Sequence, residues 1–366
     1  MTIERSASVT KSLFSGNFGA LRLLMSCLVI VGHTPELIDG NRHREIFTQL
    51  FGTMSFGELA VDGFFLISGY MLALSVEKSG TLARYFIKRV ARIYPAFIVS
   101  FVLCLVIVTP LAAGSIDTRQ WQNKILKLFL LQPPHAENVF VGAPHPALNG
   151  AMWTISYEFM CYVLLAAAFA LGLLRRRRIL IAGVTGLLVL LVIQPHLDLA
   201  TREITFGQGA QNTLRFVAAF CTGVGYRKLL TTRWLNGWVA LLGLVVLGFT
   251  LFNPFLAEPS LILIGGYVLI YVGELNLGQL LSRIGQEIDL SYGIYLYAWP
   301  VQSLAIWKFG LRDIIQVDIL TIAITGMLAL LSWTLIERPA RTSSNSRSAK
   351  YKSSRLSMCW LIASTM

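Results

Sequence analysis

Read as a run of apolar and polar positions, the chain alternates long apolar stretches with shorter polar connections. The candidate spans run near 18–38, 58–77, 93–113, 151–174, 179–194, 211–229, 234–252, 259–275, 289–308 and 315–336. A hydrocarbon core of about 30 Å takes about 20 helical residues, so most of these are long enough to cross it; the fifth and eighth are short. Backbone polar groups in lipid have no water to bond, so helices that satisfy their own N–H and C=O groups are expected there. The pattern predicts an all-α, polytopic transmembrane helical bundle of about ten spans. The longest connection, Gly114–Gly150, contains WQNKILKLFLL (Trp121–Leu131), which predicts a short amphipathic helix lying in the interface. The Pro-, Gly- and Asn-rich remainder of that connection reads as irregular loop.

Positive residues set the orientation. Lys78, Arg84, Lys88, Arg89 and Arg92 follow the second span, Arg175–Arg178 the fourth, and Arg227, Lys228 and Arg233 the sixth, while the alternate connections are poorer in Lys and Arg. Both termini are therefore expected in the cytoplasm. This divides the chain into a cytoplasmic segment 1–17, a transmembrane domain 18–340, and a basic, Ser-rich tail 341–366 expected to be disordered. Residues 1–17 have no apolar core, so the first span itself is expected to direct insertion.

Composition narrows the reading. Of 366 residues, 55% are hydrophobic and only 14% charged, and the mean hydropathy is +0.64; a soluble fold would expose apolar patches that so few charges could not break up. The net charge of +12 lies in the connections and forms no basic stripe interleaved with aromatics, so no nucleic-acid partner is expected. Five cysteines have no metal-ligand spacing, and neither a disulfide framework nor a metal site is expected.

Polar residues inside the spans carry the candidate chemistry. Arg22 and His33 share the first span, 11 positions apart, which places them only about 20° apart around a helix and about 16 Å apart along it. By the orientation above, His33, Asp62 and Glu158 fall in or near the outer half. A carboxylate against an imidazole fixes its tautomer and raises its basicity, as a general base requires; as acids near helix N-termini, Asp62 and Glu158 also answer to the helix dipole. Arg22, Arg89, Arg92 and Glu337 form an inner group. Two guanidiniums three residues apart suit a polyanionic phosphate ligand, although ordinary positive-inside anchoring explains most such charges. WTISYEFMCY and SYGIYLYAWP place Trp153, Tyr157, Tyr295 and Tyr297 in apolar helices, as belt residues or as the lining of a polar cavity. His135 and His145, on the long connection, could face a ligand, but loop histidines are more often simply solvated.

These stretches resemble the membrane acyltransferase 3 family, bacterial O-acyltransferases acting on glycans. The resemblance covers about residues 16–341 and rests on six motifs in order: the Arg22–His33 spacing, VDGFFLISGY, RVARIYP, WTISYEF, SYGIYLYAWP and IERPAR. It implies an acetyl-coenzyme A or other acyl-coenzyme A donor, a carbohydrate hydroxyl as acceptor, free or lipid-linked, and a multi-pass place in the bacterial inner membrane. It implies His33 as the catalytic group, with Arg22, Arg89 and Arg92 on the donor. Tyr297 stands where many members carry His, and no extracytoplasmic hydrolase-like domain follows the spans. A transporter or flippase of similar span number is the competing expectation.

Overall fold

The computed structural model describes residues 16–116, 120–196, 203–205, 208–230, 232–285 and 287–344. The N-terminal 15 residues, the tail from 345 and Cys359 lie outside the described residues, as does most of the expected tail segment.

Each of the ten apolar stretches forms a helix: α1 (Phe18–Asp39), α2 (Phe56–Lys78), α3 (Leu82–Leu111), α4 (Thr154–Ala170), α5 (Arg177–His196), α6 (Ala210–Leu229), α7 (Gly237–Thr250), α8 (Ala257–Glu274), α9 (Ser291–Trp307) and α10 (Ile314–Ser344). Six of them (α1, α2, α3, α5, α8 and α10) are long and apolar enough to cross a membrane, and α4 and α7 are shorter apolar helices. Among the described residues the only strands are those of a small antiparallel hairpin, Glu203–Thr205 with Gln208–Gly209, and the architecture is otherwise helical. Trp121–Phe129 is the separate helix expected in the long connection, with Trp121, Ile125, Leu126 and Phe129 exposed on it.

α3 begins 11 residues before its predicted start because Thr81 caps it: the Thr81 hydroxyl accepts from the Arg84 N–H. Arg89 and Arg92 are thus inside a helix rather than in a connection. α2 starts with a capping box, Ser55 and Glu58 bonding each other's backbone N–H.

Burial is inverted relative to a water-soluble fold. Leu242, Phe249, Ile319 and Met327 are more than half exposed, whereas Ser26, Thr34, Asp62 and Glu337 are 0–1% exposed. Apolar side chains facing outward and polar ones inward are what lipid as solvent demands. The closest packing joins α2 to α6: a Cβ on Gly69 would fall 2.0 Å from the Phe220 carbonyl oxygen, and one on Gly223 2.1 Å from that of Leu66. Small residues at such a crossing let two backbones approach. α1 packs against α2, α9 and α10, so both of its polar ends face the interior of the bundle.

Candidate active site

The beginning of α1 is pinned. Asn17 Nδ2 donates to the Leu275 (2.7 Å) and Val272 (3.3 Å) carbonyls, and Gly19 lies directly against the Ile284 carbonyl. One turn on, Arg22 sits over the Phe64 ring (5.9 Å) and lines a cavity with Ser68, Thr154, Glu158, Ser291 and Tyr295. Arg89 lies between the Tyr85 and Tyr162 rings, 5.8 Å from each. Arg92 donates to Asp289 Oδ2 at 2.7 Å, and Arg341 reaches the same oxygen at 3.4 Å. Arg341 also pairs with Glu337 (3.3 Å) and covers Trp333 (4.5 Å). A wide helical turn, Trp333–Glu337, brings Glu337 to Ser332 and Arg341.

Asp289, in the connection before α9, is the hub of this cluster and accepts from the Ser291 hydroxyl as well (2.7 Å). Burial opposes its ionisation, but Arg92, Arg22 and Arg341 outweigh burial and hold its carboxyl well below the usual carboxylate range. The guanidiniums still have unused donors: the Nε atoms of Arg22, Arg89 and Arg341 and one terminal nitrogen of Arg92 are buried without a partner among the described residues. No side-chain hydrogen bond joins Arg22 or Arg89 to another described residue. A buried donor left unmade costs about 1–3 kcal/mol, more for a charged group, so these four nitrogens are donors free for a further acceptor.

The other end of α1 holds a second polar centre. His33 Nδ1 lies 3.3 Å from Glu36 Oε2, and the His33 ring meets the edge of Trp299 at 5.0 Å. Arg42 binds the Glu36 carboxylate through Nε (3.2 Å), and His145 Nε2 approaches its other oxygen at 3.4 Å. Trp299 is fixed by its Nε1–H to the Ala147 carbonyl (3.1 Å) and lies against Gly150, where a Cβ would be 2.5 Å from the ring. The long connection, from which His145, Ala147 and Gly150 come, therefore packs over His33. Such a His–carboxylate pair fixes one imidazole nitrogen and leaves Nε2 to take a proton.

The structure separates residues that depth along the sequence grouped together. Neither Asp62 nor Glu158 is the carboxylate on His33; that is Glu36. Asp62, fully buried, is held by Arg215 through two bonds of 2.9 and 3.0 Å, and Arg215 also lies 3.5 Å from Glu258 and 3.8 Å from Glu58. Glu158 accepts from Tyr162 and Ser68 and lines the Arg22 cavity. Of the four aromatics, Tyr295 lines that cavity, bonded to Thr154 and the Ala151 carbonyl. Trp153 and Tyr157 pack on Phe216 of α6 instead, and Tyr157 accepts from the Gly209 N–H. Tyr297, two residues from Tyr295, points to the opposite side, toward Ser332 of α10. His145, read as a solvated loop residue, touches Glu36, while His135 is exposed. Glu36, Asp289, Arg215 and Arg341 are the site residues that sequence reasoning passed over.

The chain matches the family model described as an acyltransferase domain over residues 16–338. It is 26% identical to an O-acetyl transferase of Shigella phage Sf6, covering 90% of this chain and 97% of the relative. Nodulation protein 10 of Rhizobium leguminosarum bv. viciae is 27% identical, over 88% of this chain and 92% of its own. The acyltransferase MdmB of Streptomyces mycarofaciens is 29% identical over a shorter stretch, 33% of this chain and 30% of its own. No solved structure matches. With the match running from the pinned start of α1 into α10, the chain belongs to the acyltransferase 3 family and is an acyltransferase.

Proposed function

We propose that the protein is a membrane O-acyltransferase that moves an acyl group, acetyl first among them, from acyl-coenzyme A to a carbohydrate hydroxyl of a surface or secreted glycan. The observation that carries this reading is the pair of centres on one helix: guanidiniums with unused donors around Arg22, and a carboxylate-bound imidazole at His33. A relative named an O-acetyl transferase over nearly its whole length favours an oxygen acceptor and an acetyl group. Ten spans with both termini in the cytoplasm, in a bacterial inner membrane, put the arginines at the inner side and His33 at the outer side.

The donor set fits a polyphosphate. Arg22, Arg89, Arg92 and Arg341 hold the phosphates of acyl-coenzyme A, charge-assisted and with planar forks that match phosphate oxygens. Acyl-coenzyme A supplies an activated carbonyl as a thioester. His33 Nε2 takes the proton of the acceptor hydroxyl as that oxygen attacks the carbonyl; Glu36 stabilises the imidazolium, which returns the proton to the leaving thiolate. Arg22 and His33 are about 16 Å apart along α1, a distance the donor's extended arm has to cover between the two centres.

Mass spectrometry of surface glycans from a deletion strain tests this. Complementation with wild type restores acetyl groups, and complementation with His33→Ala does not. Acetylation that is unchanged by the deletion, with glycan export lost, would replace this reading with a transport function.

A further inference from the structure

A second polar network lies behind His33 and takes no part in the chemistry above. Gln302 of α9, only 1% exposed, uses both amide hydrogens on α1: Nε2 donates to the Ile30 carbonyl (2.9 Å) and to Thr34 Oγ1 (2.6 Å). Thr34, fully buried, reaches Asp318 Oδ1 of α10 (2.5 Å) and the Ile30 carbonyl (3.1 Å). Three helices are thus tied together at the turn that carries His33. On the remaining side, Gly32 meets the start of α2 so closely that a Cβ would fall 2.5 Å from the Gly57 nitrogen.

That turn needs the support. Pro35 stands inside α1; it has no N–H for the Val31 carbonyl and its ring crowds that carbonyl, a defect that kinks helices and costs about 3 kcal/mol. His33 lies between Val31 and Pro35, so its backbone is held by a helix missing one rung. Gln302 is one turn beyond Trp299, the residue packed against the imidazole, so its bonds to α1 tie the turn of His33 to the helix that carries Trp299.

We infer that the Gln302–Thr34–Asp318 network is a positioning device for His33, holding the proline-weakened turn of α1 so that the imidazole keeps its place against Trp299 and Glu36. This rests on His33 as the base, and it predicts loss of turnover without loss of donor binding, because the arginine cluster lies at the far end of α1.

The test compares wild type with Thr34→Val, which removes the hydroxyl at nearly constant shape, and Thr34→Ser, which restores it. Transfer is measured from radiolabelled acetyl-coenzyme A to surface glycan in membrane vesicles of the host strain. Thr34→Val lowers kcat about tenfold or more, because small misplacements of a catalytic group carry large rate penalties; donor KM stays within about twofold and Thr34→Ser recovers most of the rate. A Thr34→Val kcat near wild type, or no recovery with Thr34→Ser, overturns the positioning role. Asp318→Asn carries the same comparison if Thr34→Val does not accumulate. His33→Ala is run alongside: retained transfer there overturns the base assignment, whereas transfer lost in His33→Ala but full in Thr34→Val overturns only the network's role.

Discussion

Glu36 holds the Nδ1 side of His33 from one turn further along the same helix, at 3.3 Å, and is itself held by Arg42 and approached by His145. The pair is local in sequence, three residues apart on α1, so a single helical turn brings the two side chains together. Glu36→Gln keeps the size and removes the charge. It is expected to lower kcat about 10- to 100-fold, less than the roughly 10²–10⁴-fold that general-base assistance supplies in full because the imidazole remains, and to leave donor KM unchanged. Steady-state kinetics of wild type and Glu36→Gln checks both parameters.

Asp62 is bound by Arg215 with two bonds and has no exposed surface, so its pairing predicts a contribution to stability. Arg215→Ala leaves the buried Asp62 without its cation and should cost about 3–5 kcal/mol; Asp62→Ala leaves Arg215 still beside Glu258 and Glu58 and should cost less. Asp62→Leu combined with Arg215→Met should be milder than either single change. Thermal unfolding in detergent separates these; equal losses in singles and double would contradict the pairing.

Asp289 predicts a pH dependence. Its carboxyl is held below its unfolded value, near 3.9, so its contribution to stability is complete above that value and is lost as pH falls toward the folded pKa. Asp289→Asn should therefore unfold earlier than wild type by a constant margin from pH 8 down to about 4.5, and the margin should shrink only below about pH 4. Melting curves across that range check it; a margin that closes between pH 8 and 6 would contradict the assignment.

The α2–α6 crossing gives a fold-level prediction. Gly69→Ala drives a methyl into the Phe220 carbonyl and should cost at least about 2 kcal/mol, seen as lower yield of folded protein. Gly326→Ala, in α10 where nothing lies within 4 Å of the new methyl, should leave folding intact or improve it by about 0.5–1 kcal/mol.

What could be read from the sequence follows the range of the forces involved. The ten helices were legible because apolar length is a local property, and Arg22 and His33 stood out because charge within an apolar run is unusual at any depth. Both lie inside the bundle, on its two polar centres. Partners were a different matter. Depth along the sequence brought Asp62 and Glu158 toward His33, but Arg215, which holds Asp62, is 153 residues away in the chain and nothing local announces it. Glu158 and Tyr162, four apart on one helix face, were readable in principle, since side chains at that spacing meet. Glu36 was readable too; beside Pro35 at the end of a span it has the look of an ordinary helix-end acid. Arg341 was counted among tail charges because its partner Asp289 belongs to another connection.

The central claim is a division of labour along α1, donor phosphates at Arg22 and acyl transfer at His33. Steady-state kinetics of Arg22→Ala and His33→Ala, with acetyl-coenzyme A as the varied substrate, tests it most directly. Arg22→Ala should raise donor KM about 10- to 100-fold, the worth of one or two charge-assisted hydrogen bonds, with kcat little changed. His33→Ala should abolish transfer while acetyl-coenzyme A still binds with wild-type affinity by equilibrium dialysis. The same loss of both parameters in both variants, or measurable turnover in His33→Ala, would contradict it.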